Sequence, residues 1–486
     1  MRSWAVELTL VLALSASAVR AQPTREPSVG EQRLAQETER EGVPEATHRE
    51  PAPEREVVGE PTRPERAVPN YDGREPAPPS AGRRLLWIPR ILLFPLWVVT
   101  EFVLRRPLSA LTRWAEERAA NTPSEKSPLR FLVFDEGRVQ LIPTLLIDFG
   151  NQPSVGFYIR WNEAGHPNHQ LRFHFAFWGP DWVKGRVTTR WEPPDGNMRA
   201  ELRLSAQRRA DGRFAGLGSE ARPDRGARYD WREMHALASF EVEPWRQSFF
   251  MVGAGVLDER FGNDGFCCPT IEERVAEGVY GQLPPAYLDG FTAFHVDTDL
   301  HLDTRKDRGE GSSGVSLRLH GRYAVDLQAP DARRWLRFGG TLGAHWDASG
   351  HAHILSLLVG VQGAHAIEGQ VPFTQQVELS GRGAMRGFRP GALMGSTGAT
   401  LTLIYQWPIW GDWLDARAHV SFGNVYDGRF EQFALDRQRM SFGIGIGAVD
   451  ELDHYLDFTL AWGTETFEQG FQVQSFRLAL GGEWSI

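Results

Sequence analysis

Cysteine is nearly absent from the 486-residue chain: two occur, as the neighbours Cys267 and Cys268. Neither a disulfide framework nor a cysteine-based zinc site can be built from them. Basic charge is also short. The formal net charge is −9 and the pI is near 5.9, which removes the electrostatic footprint of a nucleic-acid binder. Mean hydropathy is −0.37, too low for a polytopic helical membrane protein. There is no Gly-x-Ser-x-Gly elbow, Walker loop, His-Glu-x-x-His or EF-hand loop, so the sequence gives no reason to expect an enzyme, a metal or a cofactor. What the chain has in quantity is 50 Gly, 28 Phe and 17 Trp. Its length exceeds one ordinary soluble domain but suits one large β-barrel.

Arg2 precedes an apolar run from Leu8 to Ala18, and Ala16 with Ala18 or Val19 with Ala21 supply small residues at the −3 and −1 positions of plausible cleavage sites. Residues 1–21 therefore read as a secretory signal peptide, which implies export. Residues 22–84 are dominated by Pro, Glu and Arg, with Leu34 and Tyr71 almost alone as large apolar groups. Such a segment cannot bury enough surface to offset its ordering entropy and is expected to be a disordered tether. In residues 85–128 an apolar stretch is broken by Pro89, Arg90, Pro95 and Glu101, and polar groups then recur at Arg105, Ser109, Thr112 and Glu116. That spacing predicts a short amphipathic helix, suited to a membrane interface or to the end of a larger domain.

From residue 129 to 486 the period changes from 3.6 to 2. Val315, Leu317, Leu319, Tyr323 and Val325 alternate with Ser316, Arg318, His320, Arg322 and Asp326. Phe294, Val296, Leu300 and Leu302 alternate with His295, Asp297, Asp299 and Asp303, and Phe476, Leu478 and Leu480 with Arg477 and Ala479. Several of these runs reach the roughly 9–11 residues that a tilted transmembrane strand needs. Tryptophans near their ends (Trp161, Trp178, Trp191, Trp407, Trp410, Trp413, Trp462 and Trp484) suit interfacial girdles. The expectation is an all-β chain whose residues 129–486 form a transmembrane antiparallel barrel. At roughly 20–24 residues per strand and connection, that length gives about sixteen strands. With an export signal, the destination is an outer membrane, and the polar faces line a lumen.

The last third carries Arg386-Gly387-Phe388, then Tyr405-Gln406-Trp407-Pro408, then Phe422-Gly423-Asn424-Val425-Tyr426 and Ser441-Phe442-Gly443-Ile444-Gly445-Ile446. In order and spacing this resembles the C-terminal region of the BamA/TamA family of outer-membrane barrels, the bacterial surface antigen barrels. The resemblance covers about residues 375–486. It implies that Arg386, Gly387 and Phe388 sit on a long loop folded back into the lumen. It also implies a role in inserting or passing proteins at the outer membrane, with client polypeptides, periplasmic proteins and membrane lipid as partners. The family's acidic lumen-wall residue, which holds the loop arginine, is Ser421 here, and Asp415 and Asp427 are the nearby carboxylates that could take its place. Apart from any family, a guanidinium on a lumen loop can pin that loop by bidentate bonds, glycine permits close backbone approach, and phenylalanine wedges against the wall.

Two other readings compete. His419 and Ser421 have the spacing that puts a base and a nucleophile on one strand face, as an outer-membrane lipid hydrolase would need. Yet Leu414, Ala416, Ala418, Val420 and Phe422 form the apolar side, so His419 and Ser421 are expected to face the lumen. A passive pore is the third reading. His166, His169, His351, His353 and His365 fall at loops and strand ends without a tight ligand cluster. The vicinal cysteines lie in the Gly/Pro-rich stretch 262–269 and read equally as a strained loop disulfide or as two thiols.

Overall fold

The computed structural model describes residues 133–481 apart from 136–137, 195, 220, 246, 264–265, 306–312, 330–332, 348–351, 411–413 and 450–454. The expected signal peptide, tether and amphipathic helix lie outside the described residues. Sixteen strands form the wall. The first eight are β1 (Val139–Asp148), β2 (Ser154–Asn162), β3 (His169–Phe177), β4 (Trp182–Trp191), β5 (Met198–Phe214), β6 (Ala227–Trp245), β7 (Ser248–Gly262) and β8 (Phe291–Asp303). The second eight are β9 (Gly314–Asp326), β10 (Arg334–Asp347), β11 (Ile354–Glu368), β12 (Thr397–Trp410), β13 (Leu414–Tyr426), β14 (Arg439–Val449), β15 (Tyr455–Thr464) and β16 (Val473–Gly481). Each pairs antiparallel with its sequence neighbours, and β16 pairs with β1, so the sheet closes on itself.

Strand length and face follow from the alternation. The strands run from nine to nineteen residues, longer than the five or six usual in soluble sheets. Along β9, Val315, Leu319 and Tyr323 are exposed on the outside while Ala324 and Asp326 are buried inside. Along β8, Phe294 and Leu302 face out, and His295, Asp297, Asp299 and Asp303 are buried. Outward apolar side chains continue around the wall through Phe338, Leu342, Leu357, Val359, Leu401 and Leu403. A contiguous apolar band of this kind around a polar interior is the surface of a lipid-embedded barrel. No helix among the described residues is long and apolar enough to cross a membrane, and the strands do the crossing.

The two ends differ. One has short connections such as 246–247 and 411–413; the other carries segments 215–226, 263–290, 369–396 and 427–438. Trp161, Trp191, Trp245 and Trp346 are exposed at the short-turn end, with half-buried Trp407 beside them. Trp178 is exposed at the long-loop end, and Trp462 sits within the wall, stacked on Phe442. Trp413 and Trp484, and the side chain of Trp410, are outside what is described. Trp182 and Trp335, by contrast, are fully buried inside.

At the long-loop end the connections pack on one another. Phe373, from segment 369–396, meets Phe214 at 5.6 Å, Tyr229 at 5.3 Å and Phe261 at 4.7 Å between ring centroids. Segment 263–290 holds a one-and-a-half-turn helix, α1 (Ile271–Ala276), started by a capping box between Thr270 and Glu273. Ile271, Tyr280 and Tyr287 of this strap join the same aromatic cluster. The Tyr280 hydroxyl donates to the Phe214 and Arg225 carbonyls at 2.9 and 3.0 Å, and burial pushes its pKa up to about 12. Segment 215–226 reaches the opposite wall, where Arg439 donates to the Ala221 carbonyl at 3.0 Å.

The outward face makes a direct prediction. Val359, midway along β11 and flanked in register by Leu342 and Leu401, replaced by Arg should lower folding stability in lipid vesicles by about 2–4 kcal/mol. Equilibrium denaturant titration of vesicle-folded protein measures it.

Candidate functional site: the lumen finger and the seam

Segment 369–396 folds back into the lumen as a compact finger. Val377–Glu378 pairs with Met394–Gly395. The Leu379, Gly381 and Met385 amides donate to Leu393, Phe388 and Leu379 at 2.9–3.1 Å. Glu378 and Ser380 staple its two arms. The Glu378 carboxylate accepts from the Gly391 amide at 2.6 Å and the Ser380 hydroxyl at 3.0 Å, and the Ser380 oxygen accepts the Ala392 and Leu393 amides at 3.2 Å. The finger buries Val371, Phe373, Leu379, Met385, Phe388 and Leu393, an apolar core of its own within a polar lumen.

Three contacts fix the finger to the wall. At its root, Thr374 and Gln375 donate to the buried Glu259 of β7, Gln375 at 3.3 Å. At its tip the Gly387 amide donates to Ser441 Oγ of β14 at 2.8 Å. Gly387 lies so close to β15 that a Cβ there would fall 2.0 Å from the Trp462 carbonyl oxygen, and the Phe388 ring covers Gly463. Phe388 is completely buried. The expected lumen loop and the wedging roles of Gly387 and Phe388 thus have a physical counterpart. The charge of Arg386 acts on His419 of β13.

Of the residues considered as anchors for Arg386, Ser421 lies at the level of the docked tip: it is opposite Ser441 in register, is fully buried, and takes a hydrogen bond from Thr402 Oγ1 at 3.0 Å. Asp415 and Asp427 are each six residues away along β13 and its continuation, about 20 Å at strand rise. Asp415 accepts from Gln406 Nε2 at 2.5 Å, while Asp427 packs against Gly218 of the crossing segment. His419 and Ser421 are both buried on the inside, and a bilayer lipid meets Leu403 and Phe422 instead. Among the candidate metal histidines, His169 bonds Thr189 and the Ala164 carbonyl, both at 2.6 Å, and His353 bonds the Tyr405 hydroxyl at 2.9 Å. Among the described residues no group of three or more His, Cys, Asp and Glu is placed to hold a metal.

The third contact belongs to no motif of the sequence. Arg477 of β16 donates through Nε and Nη2 to the Asp148 carboxylate of β1 at 3.0–3.3 Å, and through Nη1 to the Gly381 carbonyl of the finger at 2.7 Å. Both side chains are buried. One guanidinium therefore joins the last strand, the first strand and the finger.

That junction lies where the first and last strands meet. Among the described residues, β16 and β1 share three register pairs: Ala479 with Asp148, Leu480 with Ile147 and Gly481 with Leu146. Every other neighbouring pair of wall strands shares at least eight. The Phe149 amide bonds Leu478 across the seam, whereas Arg138 accepts from Asn162 on the β2 side. Alternation then turns the backbone groups of odd-numbered β1 residues toward the seam. Pro143 is one of these, and it has no N–H to give. The two-residue strand Val133–Phe134 covers the same edge at Val139 and Gln140.

Beneath the finger lies a chamber of about 890 Å³ with a charged lining that includes Arg186, Arg203, Glu233 and His235. On its wall His235 Nε2 meets His295 Nε2 at 2.9 Å, His295 Nδ1 meets Asp297 at 3.1 Å, and Arg322 grips Asp297 with two bonds of 2.7 and 2.9 Å. Gly255 leaves the room for the two imidazoles, since a Cβ there would come within 2.8 Å of His295 Nε2.

A closed, outward-apolar, sixteen-stranded antiparallel barrel with a lumen finger defines a transmembrane β-barrel of the outer-membrane type. No family model matches the sequence, and no curated protein does. Among solved structures it is similar to BamA from Haemophilus ducreyi lacking POTRA domains 1–3, with 16% identity and a TM-score of 0.49 over 71% of this chain and 70% of that one. It is also similar to CdiB from Acinetobacter baumannii, at 13% identity and a TM-score of 0.45 over 71% of this chain and 59% of that one. CdiB from Escherichia coli follows at 10% identity and 0.46, over 72% and 64%.

Two predictions test the finger. Gly387→Ala must displace the backbone of β15, and overpacking of this kind costs about 1–3 kcal/mol. Its heat-modifiability midpoint on gels should fall below that of the native protein. Burial pushes the Glu378 carboxyl up, against the pull of the Gly391 amide and the Ser380 hydroxyl. A raised value stabilises the folded finger below the ordinary glutamic acid range, and that stabilisation is lost as pH rises through the raised value. Glu378→Gln, neutral at every pH, should match the native midpoint near pH 4 and exceed it at pH 8.

Proposed function

We propose that this chain is a specialised barrel of the BamA/TamA kind that inserts or passes polypeptide at the outer membrane, using the β1/β16 seam as the working edge. The observation that carries the reading is the buried Asp148–Arg477 ion pair, which joins the first and last strands and also holds the finger. A strand edge freed at the seam is a template for another strand, and Pro143 of β1, with no N–H to give, weakens the pairing there. The motif Arg386-Gly387-Phe388 and its docking on β14 and β15 support the same reading. The partners are then an unfolded client polypeptide that adds a strand, periplasmic proteins that deliver it, and the surrounding lipid. No catalytic step belongs to this function, in keeping with the inward position of His419 and Ser421. A lumen occupied by a finger with its own apolar core is also more than a passive pore requires.

The test is to lock the seam. Ile147 and Leu480 face each other in register, with Cα atoms about 5.5 Å apart in a hydrogen-bonded antiparallel pair, within disulfide reach. Ile147→Cys with Leu480→Cys, in a Cys267→Ser, Cys268→Ser background, is reconstituted in liposomes with an unfolded eight-stranded barrel polypeptide as client. Insertion should drop at least tenfold when the bond is oxidised and recover on reduction. Equal insertion in both states overturns the proposal.

A further inference from the structure

Cys267 and Cys268 stand at the exposed long-loop end, and the fold holds them in an uncommon way. Both residues are in the left-handed region, with φ of 50° and 70°. Two consecutive non-glycine residues there are disfavoured unless their surroundings impose it. The surroundings do so from both sides. Immediately before the pair the Phe266 amide donates to the Ala210 carbonyl of β5 at 2.6 Å, and immediately after it the Pro269 carbonyl accepts from the Arg228 amide of β6 at 3.0 Å. Thr270 then starts α1 through its capping box. The strap is thus tied to the barrel rim on each side of the two cysteines, and the turn between the ties turns both thiols the same way, Sγ to Sγ at 2.6 Å. Both residues are exposed. The Arg228 charge acts on Cys267, and Cys268 and Arg213 act on each other.

We infer that Cys267 and Cys268 form a redox-active vicinal dithiol that the loop geometry poises to close into a cyclic disulfide by exchange with a disulfide oxidant. The oxidant class is a small or protein disulfide, R–S–S–R. The Cys268 thiolate attacks one oxidant sulfur, forming a mixed disulfide and expelling one R–S⁻. The Cys267 thiolate then attacks the Cys268 sulfur, closing the ring and expelling the second R–S⁻. The cysteines lose two protons to solvent and two electrons to the oxidant, which is reduced to two thiols. Burial and the hydrogen bond to Cys268 push the Cys267 thiol up, which suits Cys268 to attack first. Closing the ring freezes the start of the strap that carries Tyr280 and Tyr287 onto Phe373 of the finger.

The experiment equilibrates full-length protein in detergent with glutathione and glutathione disulfide at graded ratios, quenches with acid, labels with N-ethylmaleimide and weighs the peptide spanning 267–268. The expected result is that doubly labelled peptide gives way to an unlabelled one lighter by two hydrogens, without dimer. Folded protein should reach the midpoint at a ratio at least about tenfold less oxidising than protein unfolded in SDS, since the fold supplies the thiol alignment. In the same buffers Cys267→Ser should stop at a glutathione adduct on Cys268 that the native protein does not accumulate. Double labelling at the most oxidising ratio, a lasting glutathione adduct on native protein, an intermolecular dimer, or equal midpoints folded and unfolded would each overturn the inference.

Discussion

The buried contact between Asp148, Arg477 and the Gly381 carbonyl is the interaction on which the rest of this barrel depends. A closed sheet needs its ends joined, and here a buried ion pair stands beside the backbone pairing that joins them. Charged groups out of water are costly unless fully paired. Removing one partner of such a pair typically costs about 3–5 kcal/mol, because the other is left uncompensated. Arg477 is satisfied on both sides, by a carboxylate of the neighbouring strand and by a finger carbonyl, so the two requirements become one. The finger cannot leave without stripping Arg477 of a partner, and the first strand cannot leave without stripping it of its counter-charge.

The finger is in turn a solution to a packing problem. Wide barrels enclose more space than wall side chains can fill, and the lumen side chains here are mostly charged. An inserted chain segment must satisfy its own backbone, present polar groups to those walls and hide its apolar residues. Segment 369–396 does the first through its internal turns and the Val377–Glu378 ladder, and the second through Thr374, Gln375 and the Gly387 amide. The third it does by folding Met385, Phe388 and Leu393 against one another and against Val425. Glycine is needed at two places: Gly387, where the chain rests on the β15 backbone with no space for a methyl group, and Gly391, whose φ of +75° comes with a Cβ position 1.9 Å from the Arg213 carbonyl oxygen.

Much of the architecture was legible in the sequence because a barrel writes its pattern locally. The period of two, the facing of Phe294 against His295 and of Leu319 against Arg318, and the count of about sixteen strands all follow from neighbouring residues. The inward position of His419 and Ser421 follows from the same alternation. What could not be read are pairings between distant positions. Asp148 and Arg477 are 329 residues apart, and Glu259 is more than a hundred from Thr374 and Gln375. Each looks like any other polar residue on an alternating strand. The contact at the seam is made by an arginine of the wall, Arg477, toward the finger backbone, and no motif marks it. The strap and α1 were also unread, since six helical residues leave too little periodicity to find. The girdle was only half visible: Trp245 and Trp346 gave no signal distinct from core tryptophans such as Trp335.

The uneven distribution of those tryptophans has a mechanical meaning. Indole rings prefer the boundary between hydrocarbon and headgroup, and among the described residues five of them ring the short-turn end while Trp178 stands at the other. The molecule therefore floats like a hull with ballast at one end: its draught is set from the short-turn leaflet. When the bilayer thickens or thins, that waterline stays with the belt, and the mismatch is taken up at the opposite leaflet, where the strap and the packed connections meet the membrane surface.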